Sequence, residues 1–523
     1  MTDSKSAIFI GGGHNGLVCA TYLAKAGFQV QVLEARETAG GGISNHQFAE
    51  GYQVSGLAHV LHPLNPGIVK DLDLVGAGLV TGDAIVTISL GRDGRHLRLD
   101  TDSVAGSGLS SDDAAAYTAF KMEFRAYARA LEPLATNKPP RLKDMDRKDK
   151  FTLGKLGWSL RFGLGATSMS EFLRVGGINI YDVLNEVFDD PQLKGAIAAD
   201  AVIGHHMGPR TPTTVLTYLN RLRGETYGPQ SLPVADKGSI ATALVNAALK
   251  TGVEIQTGVK VERIIVTNGR ATGVQLQSGD EKKADIVISN ADAKTTFLDL
   301  VGTADLDAMF THRIHSTRTN GSVAKLHFAL KGLPQVNGLS EAELGQRLLI
   351  APDMRYVEHA FNHAKYGEYS EAPVLEITIP SLASPSLAPA GHHVMSVSAS
   401  FAPYTLKNGW DNGSSEFTRK VISLIEDHAP GFAARVVASE VLTPVDIERE
   451  FNITGGHWHH GEMAIDQSFM MRPVHGAAQY DTPVNGLYLC GAAAHPGGGI
   501  TGLPGRNAAK RILAIALKEH RNG

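Results

Sequence analysis

The chain has 523 residues, of which 49 are Lys or Arg and 53 are Asp or Glu, so its formal net charge is -4. This near balance gives no sign of a polyanionic partner and argues against binding to nucleic acid. Cys19 and Cys490, its only cysteines, are far apart in sequence, which excludes a Cys-x-x-Cys metal or redox motif. The length suits about three domains, or one enzyme of two interleaved domains.

The start of the chain, MTDSKS, is polar and passes directly into an apolar strand. A secretory signal needs a basic start, an apolar stretch and a cleavage site of small residues, so we expect none here. The sequence also has no uninterrupted apolar run long enough to span a bilayer. Together with the scarcity of cysteine, these features predict a reduced, cytoplasmic setting.

The first elements are predicted to form a β-α-β unit. Apolar runs predict strands at Ala7–Ile10 and Gln29–Leu33. Helical periodicity predicts a helix at Asn15–Ala26, which Gly27 ends. A glycine-rich turn therefore lies between a buried strand and a helix.

Three glycines occupy this turn in the spacing G-x-G-x-x-G. Gly11 allows a tight turn, Gly13 lets the backbone approach a pyrophosphate, and Gly16 lets the helix pack close to the strand. The helix N-terminus stabilises the phosphate charge. Glu34 ends the second strand, where a carboxylate accepts hydrogen bonds from ribose hydroxyls and repels the 2′-phosphate of NADP. The pattern predicts a dinucleotide site, and the alternative is a plain tight turn.

The segment that follows, Leu74 to Pro229, is predicted to be largely helical. Its glycine-rich stretches GSGLSS, from Gly106, and GLGATS, from Gly163, lack a strand before them and an acid after them. We interpret both as ordinary loops, and so expect no second nucleotide site for NAD(P)H in this chain.

Two later segments repeat the strand-and-glycine signals. From Gly238, a helix with apolar residues at helical spacing leads into short strands that end in ADIVISNAD. Near the C-terminus, LYLCGAAAHPGGGITGLPGRNAA predicts a strand, a glycine-rich loop and a final helix. Between them, apolar strands such as SVAKLHFAL and HHVMSVSAS alternate with helices such as SEFTRKVISLIEDHA.

These signals predict an α/β fold, α+β overall, in which one nucleotide-binding domain is assembled from separated segments. The two long insertions are predicted to form a substrate domain of mixed sheet and helix. The predicted division is a nucleotide-binding domain at 1–73, 230–296 and 473–523, with a largely helical substrate segment at 74–229 and a mixed one at 297–472.

The glycine pattern continues past Glu34 in EARETAGGG, and the whole stretch resembles the extended FAD signature of glutathione-reductase-like flavoproteins. The resemblance implies FAD rather than NAD, in a Rossmann domain where the acid holds the adenosine ribose. EIQTGVKVERI resembles the strand pair whose backbone amide and carbonyl, here of Val259, pair with adenine. The C-terminal segment resembles the flavin motif in which a helix start faces the isoalloxazine carbonyls. The cofactor-binding residues that the resemblance implies are Gly11, Gly13, His14, Asn15, Gly16, Glu34, Ala35, Arg36, Gly41, Gly42, Val259, Gly491, Gly498, Gly499, Ile500 and Thr501.

A wider resemblance covers most of the chain. GGGHNGLVCATYLAKAG, VISNADA and GGHWHHGEMAIDQSFMMRP resemble the phytoene desaturase and carotenoid isomerase superfamily, in its branch named after pyridine nucleotide-disulfide oxidoreductase domain-containing protein 2. Despite that name, the cysteine pair and the second nucleotide fold of a disulfide reductase do not appear. Amine oxidases and true phytoene desaturases commonly have Arg after the second glycine pair, whereas this chain has Gly42, which favours the less characterised branch.

The resemblance implies an FAD-dependent oxidoreductase that abstracts hydride from a small, apolar or partly apolar organic substrate and desaturates or isomerises it. An external acceptor, oxygen or a quinone, would then take the electrons. Two alternatives stay open: a flavin amine oxidase, and a flavin-binding interaction protein that has lost catalysis.

The resemblance places the segment GGHWHH at the flavin face, and histidine titrates near neutrality, which suits proton transfer. His457, His459 and His460 are therefore the first catalytic candidates, and a packed, hydrogen-bonded loop is the alternative. The segment lacks a completing carboxylate motif, so we expect no metal. Lys325 is a further candidate, although a lysine on an alternating strand is more often solvated. His59 and His62 line the site or pack elsewhere.

The segment Lys150 to Leu173 mixes aromatic, apolar and basic residues. Two interpretations stay open for it. In relatives that act on lipids, such a segment contacts a membrane peripherally or covers an apolar tunnel. In other proteins it packs inside the fold. The sequence carries no signal for an oligomeric state.

Overall fold

The computed structural model describes residues 4–235 and 238–522, without the side chains of residues 521 and 522; Met1–Asp3, on which the signal-peptide prediction partly rests, lie outside this range. The strands, in chain order, are β1 (Ser6–Ile10), β2 (Gln29–Leu33), β3 (Asn45–Ala49), β4 (Tyr52–Ser55), β5 (Thr87–Ser89), β6 (Leu97–Leu99), β7 (Val104–Gly106), β8 (Glu254–Gln256), β9 (Val261–Thr267), β10 (Arg270–Leu276), β11 (Glu281–Lys283), β12 (Ile286–Ser289), β13 (Val323–Lys331), β14 (Arg347–Ile350), β15 (Val374–Thr378), β16 (His392–Ser400), β17 (Val436–Leu442) and β18 (Leu487–Leu489).

Helices connect these strands, and most of them lie in the two long insertions. The α-helices are α1 (His14–Lys25), α2 (Pro66–Asp71), α3 (Ser111–Ala130), α4 (Glu132–Ala135), α5 (Arg147–Trp158), α6 (Gly165–Val175), α7 (Ile180–Val187), α8 (Pro191–Val202), α9 (Thr214–Glu225), α10 (Ile240–Lys250), α11 (Ala308–His315), α12 (Met354–Lys365), α13 (Trp410–Glu426), α14 (Pro444–Phe451) and α15 (Leu503–Asn522), and Ser159–Gly163 and Thr295–Val301 are π-helical.

Strands from three distant parts of the chain form one parallel sheet, in the order β18-β12-β1-β2-β8. The central strands are apolar and buried, as parallel strands covered on both faces must be. The predicted β-α-β unit is confirmed: β2 has the predicted bounds, and β1 and α1 begin one residue earlier. Because β1 lies between β2 and β12, the turn after β1, Glu34 and Asn290 meet at one edge of the sheet.

A second, mixed sheet has the order β17-β13-β16-β15-β14-β5-β6-β7. Strands β5 to β7 come from the first insertion and the others from the second, so the two insertions share this sheet. The first insertion is largely helical, as predicted, but its three-residue strands were not predicted because they are too short to show a period. SVAKLHFAL, HHVMSVSAS and the helix SEFTRKVISLIEDHA are confirmed as β13, β16 and α13, within a few residues at their ends.

Of the two glycine-rich stretches of the first insertion, GSGLSS is largely a loop, as predicted. The prediction of a loop at GLGATS was wrong, because Gly163 ends a π-helical segment and Gly165 begins α6. One premise about GSGLSS was also wrong. GSGLSS is preceded by β7 and followed by α3. β7 is an antiparallel edge strand, and the side chain of Ser110 caps α3 by accepting a hydrogen bond from the Asp113 N–H at 3.0 Å. The N-terminus of α3 is therefore already satisfied by a side chain, unlike a phosphate-binding helix start.

The segment from Lys150 to Leu173 forms most of α5, the first π-helical segment and most of α6. Phe151, Trp158, Phe162 and Leu173 are each more than 60% exposed, so full packing inside the fold is not what the structure shows. Lys155 and Arg161 lie over the rings of neighbouring Phe residues. Membrane contact stays a prediction. Among the described residues, none of the helices is long and apolar enough to cross a bilayer.

Candidate functional site

A cavity of about 730 Å³ lies where the parallel sheet meets α8, α9 and the mixed sheet. Most of the residues that the sequence singled out lie on its wall. Those are Gly11, Gly13, His14, Asn15, Glu34, Ala35, Arg36, Gly41, Gly42, Val259, Gly498, Gly499, Ile500, Thr501, His459 and His460, together with His59 and His62.

Four sequence candidates lie behind the wall rather than on it. A Cβ atom added to Gly16 would lie 2.6 Å from the Gly11 carbonyl oxygen, and one added to Gly491 would lie 2.4 Å from the Asn290 carbonyl oxygen. Both glycines therefore act by letting two backbone segments approach. His457 and Lys325 are buried one layer behind the surface of the cavity.

The turn between β1 and α1 is a cradle of backbone groups. Gly11 has a φ of 92°, in the left-handed region that favours glycine. Gly13 is the N-cap residue of α1, and no side chain caps this helix. A Cβ added to Gly13 would lie 2.7 Å from Nδ2 of Asn290, so a larger residue would displace the Asn290 side chain. Free backbone N–H groups and the helix dipole at this point suit a phosphate.

Glu34 lies beside this cradle and is buried. Its carboxylate accepts hydrogen bonds from the Gly12 N–H at 2.7 Å and from the Arg36 N–H at 2.9 Å. The Val259 N–H donates to the Glu34 carbonyl oxygen at 2.9 Å, so of the two backbone groups predicted to pair with adenine, the amide already has a partner. The Arg36 guanidinium donates to Ser44 Oγ at 3.0 Å and packs on the Phe451 ring at 4.5 Å.

The glycine-rich C-terminal loop lies against the histidine segment. Gly498 to Thr501 immediately precede α15, and a Cβ added to Gly498 would lie 2.0 Å from Nδ1 of His459. The Thr501 carbonyl oxygen accepts a hydrogen bond from the Asn65 N–H at 3.1 Å. Backbone N–H groups at the start of a helix can stabilise negative charge that develops on a flat aromatic ring beside them.

His460 and His14 face the cavity as neutral imidazoles. Burial, and next a repulsion from His460, lowers the pKa of His14 to about 4. Burial lowers the pKa of His460 to about 4, although Asp292 opposes the shift. Nδ1 of His460 and Nε2 of His14 have no hydrogen-bond partner among the described residues. Each is a buried nitrogen that a ligand can engage.

His459 is engaged on both sides. Trp458 donates its indole N–H to Nε2 of His459 at 3.1 Å, and the ring of His459 stacks on His205 with a centroid distance of 5.0 Å. Burial and the neighbouring His205 hold its pKa well below the ordinary value. Its free lone pair is therefore less accessible than that of His460.

A buried cluster of His205, His457 and Glu462 lies behind His459. His205 Nδ1 is 2.7 Å from Glu462 Oε1, and the carboxylate also accepts the backbone N–H groups of His206 and Met463. Burial opposes ionisation, but His205 and His457 hold the pKa of Glu462 well below its usual range. The three residues could hold a metal ion, since their ligand atoms lie within 4.8 Å of one another. The absence of a metal stays a prediction.

Lys325 is fully buried, so the expectation of a solvated lysine was wrong. Its side chain projects from a face of the mixed sheet, where His59 and Ser396 cover it. Nζ of Lys325 lies 2.8 Å from Nδ1 of His59 and 3.2 Å from Oγ of Ser398. Burial lowers the pKa of Lys325 to about 7, which leaves the amine partly neutral near neutrality. It reaches the cavity through His59 and Ser398, which line it.

Sequence reasoning missed the residue that ties the histidine segment in place. Arg472 is buried and donates to five backbone carbonyl groups, including those of His459 at 2.6 Å, Glu462 at 3.0 Å and Ala492 at 2.9 Å. Its partners are backbone atoms, which leave no signature in the side-chain pattern.

Two polar residues at the end of β12 were also missed. Asn290 lines the cavity beside the glycine turn, and Asp292 accepts hydrogen bonds from Thr295 and from Thr454 Oγ1 at 2.8 Å. The sequence did contain a signal for both residues, because each follows β12, a buried strand that pairs with β1. Polar residues at the carboxyl end of a parallel strand are expected near the ligand. Cys19 and Cys490 are buried free thiols, as predicted.

Residues 16–513 match the family of flavin containing amine oxidoreductases. The chain belongs to this family. It is an FAD-dependent oxidoreductase, as the sequence predicted. The chain is 34% identical to pyridine nucleotide-disulfide oxidoreductase domain-containing protein 2 of Mus musculus, over 97% of this chain and 93% of that protein. It is 25% identical to the neurosporene-forming phytoene desaturase of Rhodobacter capsulatus, over 95% and 92%.

Solved structures support the same fold. An oxidoreductase from Methanosarcina mazei has a TM-score of 0.62 and 19% identity, covering 97% of this chain and all of that one. Such a likeness shows the mixed α/β fold alone. The cavity also fits FAD on its own geometry, because it combines an uncapped helix start, a glycine turn without room for a side chain, a buried carboxylate and a volume in the range of cofactor sites.

Proposed function

We propose that this protein abstracts a hydride from a carbon of a small, apolar or partly apolar organic substrate and so introduces or isomerises a C–C double bond. FAD, when bound, accepts the hydride and passes the electrons to an external acceptor such as oxygen or a quinone. The proposal rests on one observation: the histidine segment and the loop Gly498–Thr501 lie against each other on the wall of the cavity that the Gly11–Gly13 turn also lines.

In this proposal the residues from Val259 to Thr501 on the cavity wall would hold FAD. The carbonyl of Val259 would accept a hydrogen bond from adenine, Glu34 would hold the ribose, and the uncapped start of α1 would hold the pyrophosphate. The backbone before α15 would contact the flavin. The corresponding division is an FAD domain of glutathione-reductase type at 1–73, 230–296 and 473–523, with a substrate domain made of the two insertions.

His460 is the group that we propose to accept the proton that accompanies hydride removal. Its Nδ1 is buried without a partner, whereas Nε2 of His459 already accepts the Trp458 N–H. Burial keeps this imidazole neutral, so it can take up a proton from the substrate, and its low pKa means that it releases the proton again readily. His459 and His457 then position the loop, with His457 behind His459 in the buried cluster.

Amine oxidation is the second candidate, because residues 16–513 match the family of flavin containing amine oxidoreductases. The same flavin domain would serve either reaction. Turnover of amines with release of peroxide, and none with hydrocarbons, would select it.

The experiment is anaerobic mixing of the purified holoprotein with alkenes, saturated acyl compounds and amines, followed by the flavin absorption spectrum. Bleaching by a compound in which a C–C bond becomes unsaturated supports the proposal. Bleaching by amines alone supports the second candidate. If no compound bleaches a flavin that light can reduce and an acceptor can reoxidise, the flavin is structural. Oxygen and a soluble quinone are then compared as acceptors by the rate at which colour returns.

A further inference from the structure

Part of the cavity wall is strongly charged, and we name it the charged wall: Asp200, Arg221, Arg223 and Glu376, with His62 beside them. All five line the cavity. Asp200 lies near the C-terminus of α8, the two arginines belong to α9, and Glu376 belongs to β15. All three elements belong to the two insertions, which are predicted to form the substrate domain, and not to the parallel sheet that carries the glycine turn.

The acids of the charged wall are already paired. Arg347, which is fully buried, donates Nε to Glu376 at 2.5 Å and Nη2 to Asp200 at 2.6 Å. Asp200 also lies 3.2 Å from Nε of Arg221. Burial opposes ionisation of Asp200, but Arg221 and Arg347 lower its pKa to about 2. Asp200 is therefore ionised, and both carboxylates already have arginine partners, which leaves them little capacity to bind a further cation.

The donors of the charged wall are not satisfied in the same way. Within residues 4–235 and 238–522, Nη2 of Arg221 and Nε of Arg223 are buried and have no hydrogen-bond partner. Arg223 as a whole is only 6% exposed. Both ring nitrogens of His62 are also buried without a partner. A buried guanidinium N–H without an acceptor costs free energy, so a ligand acceptor is expected at this point.

We propose that the charged wall binds a carboxylate of the substrate, through the guanidinium of Arg221 with Arg223 and His62 beside it. A carboxylate only accepts hydrogen bonds, and its two oxygens match the forked donors of a guanidinium. An ammonium group would meet unpaired donors there instead. The proposal rests on the function proposed above and narrows its substrate to an organic acid whose apolar part lies along Ile203, Val60 and Met463, which also line the cavity.

His62 fits this role in its neutral form. Burial, and next the nearby Arg221, lowers the pKa of His62 to about 3. A neutral imidazole donates one N–H to the anion without adding a buried charge. With the substrate bound, three carboxylates face three guanidinium groups, so the charges of the site balance. The carboxylates are Asp200, Glu376 and that of the substrate, and the guanidinium groups are those of Arg221, Arg223 and Arg347.

The test compares octanoate, octylamine and octanol, which share one chain length and differ in the head group. Each is titrated into holoprotein, and the shift of the flavin absorption spectrum gives Kd. We expect octanoate to bind most tightly. Arg221→Gln should weaken octanoate by about tenfold or more and leave octanol unchanged, with full FAD content. Arg221→Lys, which keeps the charge but not the fork, should fall between them, and added guanidinium should restore part of the octanoate affinity of Arg221→Gln.

Arg313→Gln is the matched control, because Arg313 is exposed and does not line the cavity. Equal affinities of the three probes, or a preference for octylamine, would overturn the proposal. Loss of FAD from folded Arg221→Gln would also overturn it, since Arg221 would then hold a cofactor phosphate. If Arg221→Gln fails to fold, Arg223→Gln and the wild-type probe ranking decide in its place. A clear octanoate preference in a protein whose flavin no compound bleaches would sink the proposed function and leave this subsite standing.

Discussion

The glycine turn after β1 is built from backbone, whereas the charged wall on α8, α9 and β15 is built from side chains of three distant segments. At the turn, the groups available to a nucleotide are N–H groups and a helix start that any sequence with the right glycines would supply. At the charged wall, specificity depends on which of several charges is left without a partner. The backbone groups of the turn can therefore be supplied by many sequences, whereas the side chains of the charged wall are specific to this chain.

The turn can be broken by one side chain. In Gly13→Val, the new side chain meets Asn290 and fills the path of the backbone towards the pyrophosphate. We expect a folded protein without FAD, which gel filtration and the absorption spectrum would show. Gly154→Ala is the control, because no atom lies within 4 Å of an added Cβ there and it lies in α5. Retention of full FAD by Gly13→Val would place the phosphate elsewhere.

Removal of the Arg472 side chain should have the next largest effect. Arg472→Gln leaves several buried carbonyl groups of the histidine segment without donors, and we expect a loss of about 3 kcal/mol in the free energy of unfolding. Urea unfolding of the holoprotein measures it. Arg449→Gln, on the exposed face of α14, is the control. A change within about 0.5 kcal/mol would show that the loop does not depend on this residue.

The loss of protein stability at acid pH tests whether His460 is buried as a neutral imidazole. Its folded pKa of about 4 lies below the ordinary 6.5, so the unfolded chain binds its proton first. The contribution of neutral His460 to the free energy of unfolding is fully present above pH 6.5. It is lost as the pH falls to about 4, which lowers the free energy of unfolding by about 3 kcal/mol. His460→Asn, which tolerates the φ of 56° at this position, should flatten the fall of Tm across that window. His14, His62 and His495 keep part of the slope.

His315→Asn, an exposed histidine of α11, should leave the slope as it is. The same His460→Asn protein tests catalysis, since flavin reduction should slow while FAD content stays complete. If the slope of Tm against pH does not change in His460→Asn, His460 is solvated in the folded protein. If the rate of flavin reduction does not change, His460 is not the proton acceptor.

The smallest effect concerns the exposed helices. The double substitution Trp158→Ser and Phe162→Ser removes two exposed rings beside Arg161, and we expect weaker cosedimentation with anionic phospholipid vesicles. Tyr366→Ser is the control, since Tyr366 is also strongly exposed but lies after α12. Equal sedimentation of wild type and double variant, or none by either, would leave the patch without a membrane role.

The sequence could predict the backbone-built half of the molecule because its requirements are local. Gly11, Gly13 and Glu34 follow from spacing alone, and the bounds of β2 follow from its apolar run. The burial of Lys325 could not be predicted, because its side chain is covered by His59, which lies 266 residues away in sequence. Arg472 and Arg347 escaped for the same reason, since each gains its role from partners that only the fold brings near. GSGLSS was misjudged at its edge because a three-residue strand has no readable period.

The most direct test of the account is anaerobic reduction of the wild-type holoprotein by chain-matched compounds, with the flavin spectrum as the readout. The account predicts that a saturated carboxylic acid or another substrate that becomes unsaturated bleaches the flavin, and that the matched amine does not. Bleaching by the amine alone would contradict it.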